Sequence, residues 1–178
     1  MNLIELQNKI HAQNVEMGWW DEPQPFSTFV CLFHSELSEA MEGDRKGLMD
    51  DHLPQYPMFQ VELADFVIRC LDFLGSTGFS SNDYDDASCQ LGDKIDKQSR
   101  TRLIAGLHLG VSLAMLEDEE GNWGDSYSII AGVILTSFMY AKDEDFDLYQ
   151  IILDKVEYNK HRADHKHENR QKEGGKKY

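Results

Sequence analysis

Two pairs of acidic residues stand at helical spacing in the first half of the chain. Glu36 and Glu39 form one pair, and Glu62 and Asp65 form the other. Residues three positions apart lie on one face of a helix, so each pair can direct two carboxylates towards the same point. Each pair also borders apolar residues that recur at helical spacing, which places the acids beside a core-facing stripe rather than in open solvent.

Carboxylates that converge in this way need a positive counter-charge, because four ionised groups repel one another strongly at short range. Mg²⁺, and also Mn²⁺, prefers oxygen ligands of this kind. If the two helices pack antiparallel, the four side chains can meet. The sequence therefore predicts a divalent metal site whose ligands are Glu36, Glu39, Glu62 and Asp65.

Helical periodicity dominates the rest of the chain, and the alternating patterns of β-strands are scarce. Ser27 or Thr28 is the expected cap of the helix that carries Glu36, and the helix that carries Glu62 is expected to stop before Gly75. We therefore expect an all-α bundle. The predicted helices cover about 2–17, 27–42, 58–74, a weak one within 80–98, and then 100–117, 126–142 and 146–163.

The charge of the chain restricts its partners. Its 178 residues include 17 Lys and Arg against 32 Asp and Glu, a formal net charge of −15. Such acidity argues against a nucleic-acid polymer, whose phosphates need a basic surface, but it allows a nucleotide held by a few cations or metals. The sign reverses near the end, where residues 155–178 hold 8 Lys and Arg against 4 Asp and Glu, so we expect a basic tail over 164–178.

The three cysteines have no CxxC spacing, which favours free thiols in a reducing compartment. No segment reaches the roughly 18 apolar residues of a membrane span, and the N-terminus lacks the basic and apolar blocks of a signal peptide. We therefore expect a cytoplasmic protein that has no membrane partner.

The acidic pairs also carry a family resemblance. The pattern Glu36-x-x-Glu39, a spacer of 22 residues and then Glu62-x-x-Asp65 resembles the signature of the MazG-like and all-α dUTPase superfamily of nucleoside triphosphate pyrophosphohydrolases. The resemblance continues in Glu42-Gly43-Asp44-Arg45-Lys46 and near the end of the chain, and it covers residues 1–75 and 145–178. Residues 80–144 match no motif of the family and are expected to be a helical insertion in a single domain over 1–178.

The resemblance implies Mg²⁺-dependent hydrolysis of a nucleoside triphosphate, ribo or deoxy, to the monophosphate and pyrophosphate. The four acids would bind the metal, and Glu39 would take the proton of the attacking water. Phage relatives favour a purine substrate, which would be dGTP, GTP or dATP. Relatives are usually dimers or tetramers, although helices at 100–142 can instead complete the core within one chain.

Cationic and amide side chains are the expected phosphate contacts. Lys155, Asn159 and Arg162 follow one another at i, i+4 and i+7, which makes one face of a helix. In the resembling family the corresponding Lys and Asn line the nucleotide site. Lys46, just past the first acidic pair, can reach phosphates too, or it can belong to a solvated loop.

Aromatic and amide residues near the N-terminus are the expected contacts of the base. Trp19 and Trp20 precede the first acidic pair, where the family often places an aromatic that stacks on the base. A tryptophan that only packs between helices fits the sequence equally well. His11 and Asn14 lie one helical turn apart and can face the same pocket.

A different class of function also accounts for the net charge. A non-enzymatic acidic helical protein, acting as an interaction partner or an inhibitor, needs a negative surface. That hypothesis does not account for two acidic pairs that border apolar stripes on adjacent helices. The variant Glu39→Gln separates the two classes. It should abolish Mg²⁺-dependent pyrophosphate release if the protein is an enzyme, and it should leave partner binding nearly intact if the protein is not.

Overall fold

The computed structural model describes residues 2–91 and 99–162, apart from the side chains of residues 88–91. No β-strand occurs in these ranges, and a β-bridge joins Met49 to Pro57. The predicted all-α class is therefore confirmed for the described part of the chain. Its helices are α1 (Leu3–Glu16), α2 (Phe26–Lys46), α3 (Met58–Thr77), α4 (Ser81–Leu91), α5 (Arg100–Glu119), α6 (Trp123–Asp143) and α7 (Leu148–His161).

Helix α3 lies at the centre of the bundle. Thirteen of its twenty residues are buried, and it packs against α1, α2, α6 and α7. A helix that is apolar on most of its circumference is typical of such an enclosed position. Because α3 carries Glu62 and Asp65, its burial holds both residues inside the bundle.

Helix α2 packs along α3 through aromatic and aliphatic side chains. Phe33 lies with its ring centroid 6.3 Å from that of Phe66, in an edge-to-face arrangement. The helix begins at Phe26 after the cap residue Pro25, one residue before the earlier of the two predicted caps. It also runs past the predicted end near Glu42 to Gly47, whose φ of 62° is a left-handed conformation that glycine adopts cheaply.

Helix α3 does not stop before Gly75, as the sequence predicted, but continues to Thr77. A Cβ atom at Gly75 would lie 2.6 Å from His11 Cβ, so the glycine allows α1 to approach α3 closely. Tertiary packing therefore keeps this glycine helical. The helix ends at Gly78, whose φ is 78°.

Helices α5 and α6 belong to the same bundle as α2 and α3. Helix α5 packs on α2 and α6, and α6 also packs on α3 and α4. Buried side chains such as Leu107 and Ile134 join one hydrophobic cluster with Phe33 and Phe66. Helices α5 and α6 thus complete the core around the acidic pairs.

Two predictions lie wholly or partly outside the described residues. The basic tail over 164–178 falls there, as does the end of the weak helix expected within 80–98, of which α4 is the described part. None of the described helices combines the length and the apolar composition that crossing a membrane requires.

Candidate functional site

Three of the four predicted carboxylates converge. Glu36 from α2 and Glu62 and Asp65 from α3 each offer an oxygen, and these oxygens lie within 4.8 Å of one another. Glu36 and Glu62 are only 5% and 7% exposed. These three residues, called the carboxylate cluster below, have the all-oxygen donor set that a hard divalent cation prefers.

The packing of α2 on α3 explains why these acids are buried. Glu36 lies between the fully buried Phe33 and Leu37, and Glu62 lies between the fully buried Val61 and Leu63. Each acid is therefore carried inward by neighbours that hydrophobic burial holds in the core.

Two cations from the chain lie against the carboxylate cluster. Arg69 Nε donates to Glu36 Oε1 at 2.5 Å, and Lys155 Nζ lies 2.9 Å from Asp65 Oδ2. Lys155 is 2% exposed, so its ammonium pairs with Asp65 inside the protein. The sequence analysis missed Arg69, although it follows Asp65 by one helical turn and could have been found by extending that face of α3.

Burial and mutual repulsion change the protonation of this cluster. Burial, followed by the charges of Asp65 and Glu36, raises the pKa of Glu62 to about 9. Burial disfavours the ammonium of Lys155, but the adjacent Asp65 outweighs it, and the pKa of Lys155 is raised. With a pKa of about 9, Glu62 is largely protonated near pH 7. If Glu62 also ionised, the four carboxylates, with Glu39 included, would face two cations and leave two negative charges, which one divalent ion would balance.

Glu39, the fourth predicted ligand, is placed differently. It is exposed, and its carboxylate is not part of the group that lies within 4.8 Å. It nevertheless lines the same cavity, and its charge contributes to the raised pKa of Glu62. The structure therefore places Glu39 beside the carboxylate cluster, on the side open to water.

A cavity of about 420 Å³ contains the carboxylate cluster and most of the other predicted site residues. Its lining comes from four helices, α1, α2, α3 and α7, and from the loops that follow α1 and α2. This volume suits a small-molecule ligand rather than a single ion. The polar and aromatic lining residues include Asn14, Trp19, Trp20, Phe29, Glu36, Glu39, His52, Glu62, Asp65, Arg69, Asp72, Lys155, Asn159 and Arg162.

Asp72 organises another part of this cavity. Its carboxylate accepts hydrogen bonds from His11 Nδ1 at 2.9 Å, Asn14 Nδ2 at 2.7 Å and Trp20 Nε1 at 3.0 Å. The Trp20 ring is stacked on Phe29, with centroids 5.2 Å apart and planes 18° from parallel. These residues, His11, Asn14, Trp20 and Asp72, are called the Asp72 cluster below. The sequence analysis named the three donors but missed Asp72, which reads there as one more acid on a helix.

The predicted phosphate contacts on α7 line the cavity, but they are not equivalent. Lys155 is already paired with Asp65. Asn159 Oδ1 is buried and has no hydrogen-bond partner within the described residues. The Arg162 guanidinium lies 6.0 Å from the centroid of the Tyr158 ring. The three side chains therefore differ at the cavity. Lys155 is ion-paired, Asn159 has an acceptor without a partner among the described residues, and Arg162 lies near an aromatic ring.

Lys46 is the predicted site residue that the structure does not bring to the cavity. It is exposed and forms an ion pair with Glu42, one turn earlier on α2. Its neighbour Arg45 pairs with the same carboxylate at 2.5 Å.

No protein-family model, curated protein or solved structure matches the chain.

Proposed function

We propose that this protein hydrolyses a nucleoside triphosphate, ribo or deoxy, to the monophosphate and pyrophosphate in a Mg²⁺-dependent reaction. One observation carries the proposal: Glu36, Glu62 and Asp65 bring their oxygens within 4.8 Å of one another inside a cavity of about 420 Å³. The same cavity is lined by a stacked tryptophan and by amide and cationic side chains. Such a lining suits a ligand that has an aromatic base and phosphates.

We further propose that the chain belongs to the MazG-like all-α superfamily. The paired acidic motifs support this assignment, as does the packing of α2 on α3, which turns a sequence spacing into a cluster of carboxylates. The all-helical architecture of the described residues is compatible with it.

The residues that would hold the metal in this proposal are Glu36, Glu62 and Asp65, with Glu39 beside them on the side open to solvent. Mg²⁺, or Mn²⁺ in its place, would supply charge to neutralise the phosphates and to polarise a water molecule when held by these carboxylates. Glu39 is open to solvent and accepts the proton of that water as general base. Arg69 and Lys155 hold the carboxylates of Glu36 and Asp65 in place.

The substrate contacts in this proposal divide along the cavity. Asn159 and Arg162 contact phosphates, and Lys155 shares its charge between Asp65 and the substrate. Trp20 supplies a flat surface for the base, and Asn14 lies beside it. We propose a purine nucleotide, dGTP, GTP or dATP, as the preferred substrate. Nucleoside triphosphates and Mg²⁺ are abundant in the cytoplasm, which is the compartment we propose.

We also propose that the chain forms a homo-oligomer, a dimer or a tetramer. Leu109, Leu113 and Leu116 follow one another at helical spacing on α5 and are 61%, 44% and 54% exposed. Trp123, at the start of α6, is 61% exposed. Apolar side chains that form a continuous exposed patch are typical of a protein interface.

The decisive experiment is a panel of the eight standard nucleoside and deoxynucleoside triphosphates with Mg²⁺ or Mn²⁺. We expect release of pyrophosphate and monophosphate from at least one of them. Glu39→Gln and Glu62→Gln should lower kcat at least 100-fold, whereas Glu157→Gln, an exposed glutamate on α7, should not change it. Because the pKa of Glu62 is raised, ion binding displaces a proton, and the Mg²⁺ requirement should fall as the pH rises towards 9.

Two outcomes would overturn the proposal. One is the absence of hydrolysis for all eight substrates with either metal. The other is full activity of the Glu62→Gln variant, since this variant loses a central ligand of the carboxylate cluster.

A further inference from the structure

The hydrogen bonds of the Asp72 cluster all run in one direction. An ionised carboxylate accepts hydrogen bonds and cannot donate them, so His11, Asn14 and Trp20 must each donate to Asp72. Oδ1 receives both His11 Nδ1 and Trp20 Nε1, which uses its two lone pairs. Among the residues that the structure describes, Oδ2 receives a hydrogen bond from Asn14 Nδ2 alone, so it keeps one acceptor position.

This arrangement also sets the orientation of the Asn14 amide. Because Nδ2 is bound to Asp72, the oxygen Oδ1 on the same carbon is turned away from the carboxylate. No donor to Asn14 Oδ1 occurs among the residues that the structure describes. The partnerless Asn159 Oδ1 adds another acceptor to the cavity. One N–H of Asn14 Nδ2 is also left over. The free acceptors, which are Asp72 Oδ2, Asn14 Oδ1 and Asn159 Oδ1, therefore outnumber this donor.

The position of Asp72 on α3 indicates which part of a nucleotide meets these acceptors. Asp72 follows Asp65 by seven residues, which is about 10 Å along the helix axis. Both residues line the cavity, and Trp20 lies against Asp72. If the proposed function is correct and the phosphates bind at the carboxylate cluster, the base reaches the Asp72 cluster.

We propose that Asp72 is a specificity-determining residue that makes this end of the cavity select a base with an exocyclic amino group. Asp72 acts directly through Oδ2 and indirectly by orienting the oxygen of Asn14 towards the ligand. An amino group supplies the donors that these oxygens lack. A keto oxygen at the same position would face acceptors and leave them without partners once water is excluded. This inference rests on the proposed function and specifies which bases the cavity prefers.

The test compares nucleotides that differ at one group. dATP and dITP differ by an amino and a keto group on the same ring carbon, and dGTP differs from dITP by one further amino group. We expect kcat/KM to be at least tenfold higher for dATP and for dGTP than for dITP. A parallel experiment measures the binding of dGMP and of dIMP without metal. The quenching of tryptophan fluorescence reports the binding of each nucleotide.

The isosteric variant Asp72→Asn tests the residue itself. Its amide has a donor where Asp72 Oδ2 accepts, so the Asn14 amide turns over and exposes N–H groups to the cavity. We expect the preference for the amino-bearing member of each pair to fall by at least tenfold, while the quench produced by bound nucleotide persists. Asp154→Asn is the matched control, because Asp154 accepts from Tyr56 Oη and does not line the cavity.

Each outcome decides something. Equal kcat/KM for dITP and for the amino-bearing nucleotides in the wild-type protein overturns the inference and leaves the proposed function intact. Absence of hydrolysis for every nucleotide overturns the proposed function. The affinities of dGMP and dIMP then still test whether the cavity prefers a base with an amino group. Should Asp72→Asn fail to fold, Asn14→Ala carries the same comparison, because it removes an acceptor from a partly exposed position on α1. An unchanged preference in the variant that folds contradicts the inference.

Discussion

At the scale of single residues, the most informative feature is a buried lysine rather than an acid. Lys155 pairs with Asp65 at 2.9 Å and is 2% exposed. A buried ion pair costs both partners their hydration, so it is poor evidence of stability in itself. Removing one partner is costly, however, because it leaves the other as an uncompensated charge.

Lys155→Met should therefore destabilise the protein. We expect the free energy of unfolding to fall by about 3–5 kcal/mol in the absence of divalent ions, because Asp65 loses its counter-charge. Mg²⁺ should recover part of this loss, since a bound ion supplies positive charge to the same carboxylates. Urea unfolding with EDTA and with Mg²⁺ measures both effects.

Lys160→Met is the matched control, because Lys160 is exposed on the same helix. It should change the free energy of unfolding by less than about 0.5 kcal/mol. Similar values for the two variants would show that Lys155 is not the buried partner of Asp65.

The sequence allowed the acids of the site to be predicted better than the residues that hold them. Spacing identifies the pairs Glu36/Glu39 and Glu62/Asp65, because residues three apart on a helix lie on one face. It does not show that Glu39 lies on the side open to water. It cannot identify Arg69 or Asp72 in the same way. A lone charged residue on a helix is usually solvated, and the partners of these two come from α2 and α1.

At the scale of secondary-structure elements, the contact between α1 and α3 controls the Asp72 cluster. Gly75 lets α1 approach so closely that a Cβ atom there would lie 2.6 Å from His11 Cβ. Since α1 supplies His11 and Asn14, and α3 supplies Asp72, the distance between the two helices sets the geometry of their hydrogen bonds.

Gly75→Ala should consequently force α1 away from α3. We expect a loss of about 1–3 kcal/mol in the free energy of unfolding, as for other overpacked positions. We also expect weaker quenching of tryptophan fluorescence by nucleotide, because the Asp72 cluster is displaced. Urea unfolding and a nucleotide titration measure the two changes.

The control substitution has the same chemistry in open space. A Cβ atom at Gly106, within α5, meets no atom within 4 Å. Gly106→Ala should stabilise the protein by up to about 1 kcal/mol, because alanine has the higher helix propensity. If both variants stabilise the protein, α1 and α3 are not in close contact at Gly75.

Helix boundaries were the weakest part of the sequence prediction at this scale. Gly75 is typical of a helix end, and only the approach of α1 explains why the helix continues through it. Gly78, three residues later, ends the helix with a φ of 78°. Local residue preferences correctly predict that the helix ends at Gly78. The helical conformation of Gly75 depends instead on a long-range contact with α1.

At the scale of the whole molecule, α5 presents an apolar surface outwards as well as inwards. Leu107 and Val111 are buried in the core, whereas Leu109 and Leu113 are exposed. Sequence periodicity could not separate these faces, because leucines stand on both the buried and the exposed sides of α5. The arrangement suits a helix that is covered on its outer side by a second copy of the chain.

Leu113→Glu should weaken that association. We expect the molar mass from sedimentation equilibrium to fall towards the 20.5 kDa of one chain, because the charge would be buried at the interface. Val15→Glu is the control, since Val15 is 47% exposed on α1, away from α5. A wild-type protein that sediments as a single chain would contradict the prediction.

The central position of α3 also has a consequence for engineering. This one helix carries two residues of the carboxylate cluster together with Arg69 and Asp72, while its other faces are enclosed by four neighbouring helices. Redesign of α3 would therefore endanger the fold and the carboxylate cluster at once. The partners of Asp72 come instead from α1 and the loop after it. Libraries restricted to residues 11–24 could change which ligand binds in the cavity while the carboxylate cluster stays unchanged.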